Sequence, residues 1–255
     1  MVRKNKFGVK IYDESSFEKM SKACKLASKT IDYLKQFVKA GITTKYIDKM
    51  CEEFILKNGG KPTCKGYSGF PASLCTSIND VACHGIPNDI ELKDGDIINL
   101  DVVVEIDGWH GDTSKTFAVG KISEQHQNLL RIAEEAMNVG IESVKIGGCF
   151  NDIGRSIEQY VKKQKGFCLI PKFCGHGIGQ NMHEDPLVLH FETYEETSTI
   201  EKGMFFTIEP IISCGSSNVR EMKDGWTMVT KDNGFAAQFE HTISIGHDEK
   251  IHILT

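Results

Sequence analysis

Leu92-Lys93-Asp94-Gly95-Asp96-Ile97-Ile98-Asn99-Leu100-Asp101 and Ile200-Glu201-Lys202-Gly203-Met204-Phe205-Phe206-Thr207-Ile208-Glu209 are two copies of one pattern. Each copy runs apolar, charge, charge, glycine, then a mostly apolar stretch that closes on a carboxylate. An ionised carboxylate buried at the end of an apolar strand is costly, by about several kcal/mol, unless a positive partner meets it. Two parts of a chain that bring the same costly group to matched positions point to a cation shared between them.

The duplication reaches upstream. Leu26, Val38, Gly41, Ile47, Phe54 and Gly60 have counterparts in Ile132, Val144, Gly147, Ile153, Tyr160 and Gly166, an offset of 106 (132 minus 26). The strand copies are offset by 108 (209 minus 101), and His84-Gly85-Ile86 matches His176-Gly177-Ile178 at 92 (176 minus 84). The first half therefore differs in length from the second somewhere between Gly60 and Asp101. Two long copies do not make a solenoid. They predict two similar halves, about residues 13–120 and 121–250 of a single domain spanning 1–255, related by a pseudo-two-fold axis with a cleft between them.

The rest of the composition excludes several function classes. A chain of 255 residues with 40% hydrophobic and 25% charged residues has the makeup of a folded globular domain. A net charge of −5 gives no electrostatic footprint for nucleic acid. The basic start Arg3-Lys4-Asn5-Lys6 leads into Phe7-Gly8-Val9-Lys10 rather than an apolar run, so neither a secretory signal nor a membrane span is expected. Nine cysteines, none in a C-x2-C pair, argue against a structural zinc site and for free thiols in a reducing cytoplasm.

Helical periodicity predicts helices over about 15–40, 44–58, 123–145 and 150–165. Strands are expected near 96–106, 109–119, 203–213, 225–231 and 236–245. Strands clustered after each helical pair indicate an α+β fold. Asp107-Gly108 is a strong two-residue turn, which pairs Ile106 with Trp109 and Asp112 with Val103. Asp101 then shares a sheet face with Asp112. Glu209 and the Glu240 of Gln238-Phe239-Glu240-His241-Thr242 bring further carboxylates into strands. Four such groups gathered together repel one another, and two divalent cations would balance their charge. Cys174-Gly175-His176-Gly177-Ile178-Gly179 offers an imidazole with glycines on both sides for close backbone approach. His126, His190, His247 and His252 read as surface or satisfied core groups, and His241 should point away from Glu240 in a regular strand.

Cys83-His84-Gly85-Ile86-Pro87, His110-Gly111-Asp112-Thr113-Ser114, Cys174 to Gly179, Thr207-Ile208-Glu209-Pro210 and Gln238 to Thr242 together resemble the type I methionine aminopeptidases. The similarity runs in order from about residue 13 to 250. It implies the pita-bread fold, two α+β halves around a dinuclear metal cleft. With neither an N-terminal zinc-binding extension nor a long insertion before the last strands, the chain is similar to the short bacterial or organellar form.

By motif, the resemblance implies five metal ligands, Asp101, Asp112, His176, Glu209 and Glu240. Asp112 and Glu240 would bridge two ions (Mn²⁺, Fe²⁺, Co²⁺ or Zn²⁺) roughly 3.5–4 Å apart. The implied reaction is attack of a metal-bridging hydroxide on the first peptide bond, with Glu209 as general base, His183 stabilising the tetrahedral oxyanion and His84 contacting the scissile nitrogen. The metals would also hold the free α-amine, which restricts cleavage to the N-terminal residue. Cys64, Tyr67, Phe70, Cys75, Met182 and Trp226 would line a methionine-sized slot with His84 and His183 beside it. Phe70 stands where tyrosine is expected and Met182 where phenylalanine is expected, and both keep the wall apolar. The implied substrates are N-termini of nascent polypeptides with a small second residue, met at the ribosome by a cytoplasmic monomer. Prolidases share the fold and ligands but usually carry a further N-terminal domain. Non-catalytic members of the fold have lost ligands that are all present here.

Overall fold

Four amphipathic helices set the frame of the structure, a computed structural model that describes residues 2–255. Helix α1 (Ser15–Leu34) buries Met20, Ala23, Cys24, Ala27, Ile31 and Leu34 along one stripe. It was expected to reach about residue 40. Instead it tightens into a 3-10 turn at Lys35–Phe37, and Val38 leaves helical geometry, as helix ends commonly do. Helix α2 (Thr44–Lys57) starts on the Thr43 side chain, which accepts a hydrogen bond from the Tyr46 amide. Helix α3 (Glu124–Glu142) starts likewise on Ser123, and α4 (Phe150–Val161) has Asp152 reaching back to the Cys149 amide.

Each helix pair covers its own sheet. Helices α1 and α2 pack with the hairpin Ile97–Ile106 and Trp109–Ala118 in one apolar core that includes Leu26, Ile47, Ile55, Leu100 and Val102. Helices α3 and α4 pack with Phe205–Ile208 and His241–Ile245 in a second core built on Ile132, Ala136, Ile153, Phe206 and Ile243. The duplicated sequence is duplicated in hydrogen bonds. Gly41 N donates to Leu92 O at 2.8 Å, and Gly147 N donates to Ile200 O at 2.9 Å. All the strand pairings recorded between described residues are antiparallel, which with the segregated helices makes the fold α+β.

The hairpin has the register that its turn dictates. Ile106 pairs with Trp109 and Val103 with Asp112, while Asp107 and Gly108 both take positive φ, as a type I′ turn requires. The later strands depart from expectation. The stretch expected over 203–213 is two strands, Phe205–Ile208 and Ile211–Ser213, which belong to different sheets. Pro210 sits at the break and has no N–H for a ladder. The stretch expected over 236–245 also divides, into Ala236–Gln238 and His241–Ile245, with Glu240 at the break. Its amide donates sideways to Ser114 O at 3.0 Å. The strand expected over 225–231 shortens to Met228–Thr230 because the Asp224 carboxylate gathers the Trp226 and Thr227 amides into a turn.

Candidate metal and peptide site

Polar strand residues stitch the two halves together next to the carboxylates. Thr113 Oγ1 donates to Glu240 O at 2.8 Å, Thr116 Oγ1 to Gln238 O at 2.7 Å, and Thr242 Oγ1 to Asp112 O at 2.7 Å. Asn99 Nδ2 also donates to Gln238 O. These buried bonds let the hairpin lie against Ala236–Gln238 and His241–Ile245 without unpaired backbone groups. They explain why threonines stand at 113 and 116 in the strand Trp109–Ala118.

That seam brings Asp101, Asp112, His176, Glu209 and Glu240 to one cleft of about 790 Å³. The same cleft is lined by His84, His183, Cys64, Tyr67, Phe70, Cys75, Met182 and Trp226, so each residue singled out from the sequence for the site faces it. Donor atoms of Asp112, His176 and Glu240 lie within 4.8 Å of one another. His176 Nε2 stands 3.7 Å from Asp112 Oδ2 and 3.5 Å from Glu209 Oε1. His110 turns elsewhere, its Nδ1 donating to Gly179 O, and His241 turns from Glu240 to the Thr255 hydroxyl.

His176 is fixed in the form a metal needs. Its Nδ1 lies 3.0 Å from Gly177 O, and a carbonyl only accepts, so the proton is on Nδ1 and the Nε2 lone pair is free. Burial pushes the imidazole pKa down to about 3, which keeps it neutral. The flanking glycines are required by close approach. A Cβ at Gly175 would fall 2.3 Å from Thr207 O, and one at Gly177 would fall 2.1 Å from Asp185 O. Glu209 is held by Thr207 Oγ1 at 2.7 Å and by Gln238 Nε2 at 3.1 Å.

The carboxylates are held against their own charge. Burial raises Asp101 to about 7. Burial, with Asp101 nearby, raises Glu209 to about 8 despite its two hydrogen bonds. Asp112 and Glu240 are pushed well above the carboxylate range by burial and then by their neighbours. Asp112 Oδ1 is buried and accepts no hydrogen bond among the described residues. An orphaned oxygen, a free imidazole lone pair and four destabilised carboxylates form a donor set that suits divalent cations.

Beside the acidic end lies an apolar one. Cys64, Phe70, Ala72, Cys75, Val103 and Met182 form a buried cluster with Trp226 and Ile86 against it. The Phe70 and Trp226 rings meet edge-on at 5.1 Å. His84 stands between the rings of Phe173 and Trp226 with a left-handed backbone, φ 56°. A histidine held in that region is strained, and such strain is concentrated at functional sites.

His190 is a buried, hydrogen-bonded core histidine, one of the two readings that its sequence allows, but its partner was not foreseen: Nε2 lies 3.2 Å from the Glu209 amide. The amide must donate, so His190 anchors the backbone of Glu209 where the Pro210 break leaves that strand. Nothing in local spacing links positions 19 residues apart across a loop.

Comparison with known proteins agrees with this geometry. The model of metallopeptidase family M24 matches residues 18–247. A methionine aminopeptidase from Escherichia coli (strain K12) is 43% identical over 249 residues, covering 97% of this chain and 94% of that protein. The crystal structure of methionine aminopeptidase from Rickettsia prowazekii superposes with a TM-score of 0.93 at 42% identity, covering 97% of this chain and 99% of that one. A prolidase from Pyrococcus furiosus, at 19% identity and a TM-score of 0.78, shares the fold; the alignment covers 96% of this chain and 65% of that one. The chain belongs to metallopeptidase family M24, within its methionine aminopeptidase branch.

Proposed function

We propose that this chain is a metal-dependent methionine aminopeptidase that removes the N-terminal methionine from nascent polypeptides when the second residue is small. The observation that carries the reading is the junction, in one cleft, of a cation-binding carboxylate cluster and a buried thiol- and aromatic-lined slot. A thioether side chain suits such walls, through sulfur–aromatic contacts. In this reading residues 13–120 and 121–250 are the two halves of one catalytic domain, each supplying part of the cluster.

Asp101, Asp112, His176, Glu209 and Glu240 would hold two divalent ions, drawn from Mn²⁺, Fe²⁺, Co²⁺ or Zn²⁺. When bound, such ions polarise a carbonyl and lower the pKa of water. The chain's own groups do the rest. The apolar slot takes the methionine side chain and so places the first peptide bond beside the carboxylates. Glu209, anchored by Thr207, Gln238 and His190, accepts the proton of the attacking water. His183 donates to the oxyanion that develops on the carbonyl. His84, made rigid by its strained backbone and its aromatic neighbours, faces the leaving nitrogen.

The substrates would be met as they leave the ribosome, by a monomer in the cytoplasm. Nine free cysteines support a reducing compartment, and no helix among the described residues is long and apolar enough to cross a membrane. The test is cleavage of Met-Ala-Ser against Ala-Pro peptides, with each metal added back to chelated protein. Metal-dependent release of methionine alone supports the reading. Preferential cleavage before proline, or metal binding without cleavage, overturns it.

A further inference from the structure

Tyr67 and His183 lie 116 positions apart in sequence, yet the Tyr67 hydroxyl stands 2.6 Å from His183 Nδ1. The Tyr67 ring is tilted against the imidazole at 5.1 Å between centroids. We propose that Tyr67 is a positioning residue that donates its O–H to His183 Nδ1 and so holds His183 with its proton on Nε2. This rests on the proposed peptidase reading, in which His183 is the oxyanion donor.

Two observations support that hydrogen bond. The distance of 2.6 Å lies in the range of O–H donors and below the usual N–H···O separation of about 2.7–3.2 Å, and an imidazole that accepts at Nδ1 keeps its one proton on Nε2. The hydroxyl is also held in place by the chain around it. Tyr67 sits in a turn closed by Tyr67 N to Cys64 O, Phe70 N to Tyr67 O and Gly66 N to Phe70 O, with Gly66, Ser68 and Gly69 all at positive φ. That turn also supplies Phe70 to the apolar slot. One tight loop thus sets the slot wall and the tautomer of the histidine.

The consequence is chemical. An imidazole with Nε2–H can donate to an oxyanion; the opposite tautomer would present a lone pair and repel it. His176, whose ring meets His183 at 4.2 Å, is locked the other way by Gly177 O. The two adjacent histidines therefore differ in role because their Nδ1 atoms meet a donor in one case and an acceptor in the other.

The experiment combines kinetics of Tyr67→Phe, His183→Ala and the double variant on Met-Ala-Ser with ¹⁵N–¹H NMR of histidine rings in the zinc-loaded protein. Tyr67→Phe keeps the ring, so KM should change less than about twofold. Its kcat should fall by roughly tenfold, a fraction of the roughly 10²–10³ lost when an oxyanion donor is removed outright. In the His183→Ala background the same change should cost nothing further. NMR should show His183 protonated on Nε2 in the parent protein and mixed tautomers in Tyr67→Phe. An unchanged kcat, an equal loss in both backgrounds, or an Nδ1–H resonance for His183 in the parent protein would overturn the proposal. If the parent protein cleaves no peptide, the peptidase reading fails, while the NMR still decides whether Tyr67 sets the tautomer.

Discussion

The rings of His176 and His183 meet edge to face, 4.2 Å between centroids and 73° between planes. Two imidazoles this close to one carboxylate cluster could both be taken for ligands. Only His176 aims a free Nε2 at Asp112 and Glu209. His176→Ala should therefore lose bound metal, because the cluster loses its only nitrogen donor. His183→Ala should keep its metal and lose kcat by roughly 10²–10³. Metal content by elemental analysis, with kcat for both variants, checks the assignment; metal loss in His183→Ala alone would reverse it.

His190→Ala should weaken the site from behind. The variant leaves the buried Glu209 amide without its acceptor, at a cost of about 1–3 kcal/mol, or a Tm lower by several degrees for a chain of this size. Metal affinity should fall with it, since Glu209 loses the backbone anchor that aims its carboxylate. His190→Gln, which can present an oxygen to the same amide, should recover part of both. Thermal melts and metal titrations of the two variants test this, and an unaltered metal affinity in His190→Ala would count against it.

What could be read from the sequence was what local rules govern. The Asp107-Gly108 turn fixes the hairpin register, and with it the shared face of Asp101 and Asp112, because side-chain alternation follows directly from the turn. The matched glycines Gly41 and Gly147 mark duplicated bonds, to Leu92 O and Ile200 O. The strand break after Glu209 was missed although Pro210 cannot donate to a ladder, because the apolar run on both sides masks it. The break at Glu240 was not legible. Its cause is a bond from its amide to Ser114, and such a pairing is invisible until the halves are docked. The roles of His190 and Tyr67 were hidden for the same reason, as both act through partners distant in sequence.

Discrimination at the second residue should be steep. The peptide must pass between the carboxylate cluster and His84, whose ring is hemmed in by Phe173 and Trp226. A bulky side chain after methionine would press on these rings, whereas glycine or alanine would not. We expect Met-Gly and Met-Ala peptides to be cleaved far faster than Met-Lys. Equal kcat/KM for Met-Gly-Ser and Met-Lys-Ser would show that this face of the cleft does not select.

Metal removal should change how stability responds to pH. In the chelated protein, burial raises Asp101 to about 7, and burial together with the Asp101 charge raises Glu209 to about 8, both above their unfolded values. The folded state then holds more protons than the unfolded state, so stability is greatest below the unfolded carboxylate pKa and is lost as pH rises through the folded ones. The buried histidines act with the opposite sign. His176 and His190, depressed to about 3, contribute stability above their unfolded pKa and lose it as pH falls. Between about pH 6.5 and 8 these histidines are neutral in the folded state and at least about half neutral in the unfolded state, so the carboxylates dominate the slope. The Tm of chelated protein should therefore fall across that window. A divalent cation favours the ionised carboxylates and the neutral imidazole, so saturation with metal should raise the Tm and flatten or invert the trend. Scanning calorimetry at several pH values, with and without metal, measures both slopes. A chelated protein that grows more stable from pH 6.5 to 8 would mean that the four carboxylates are not strained against one another as their burial implies.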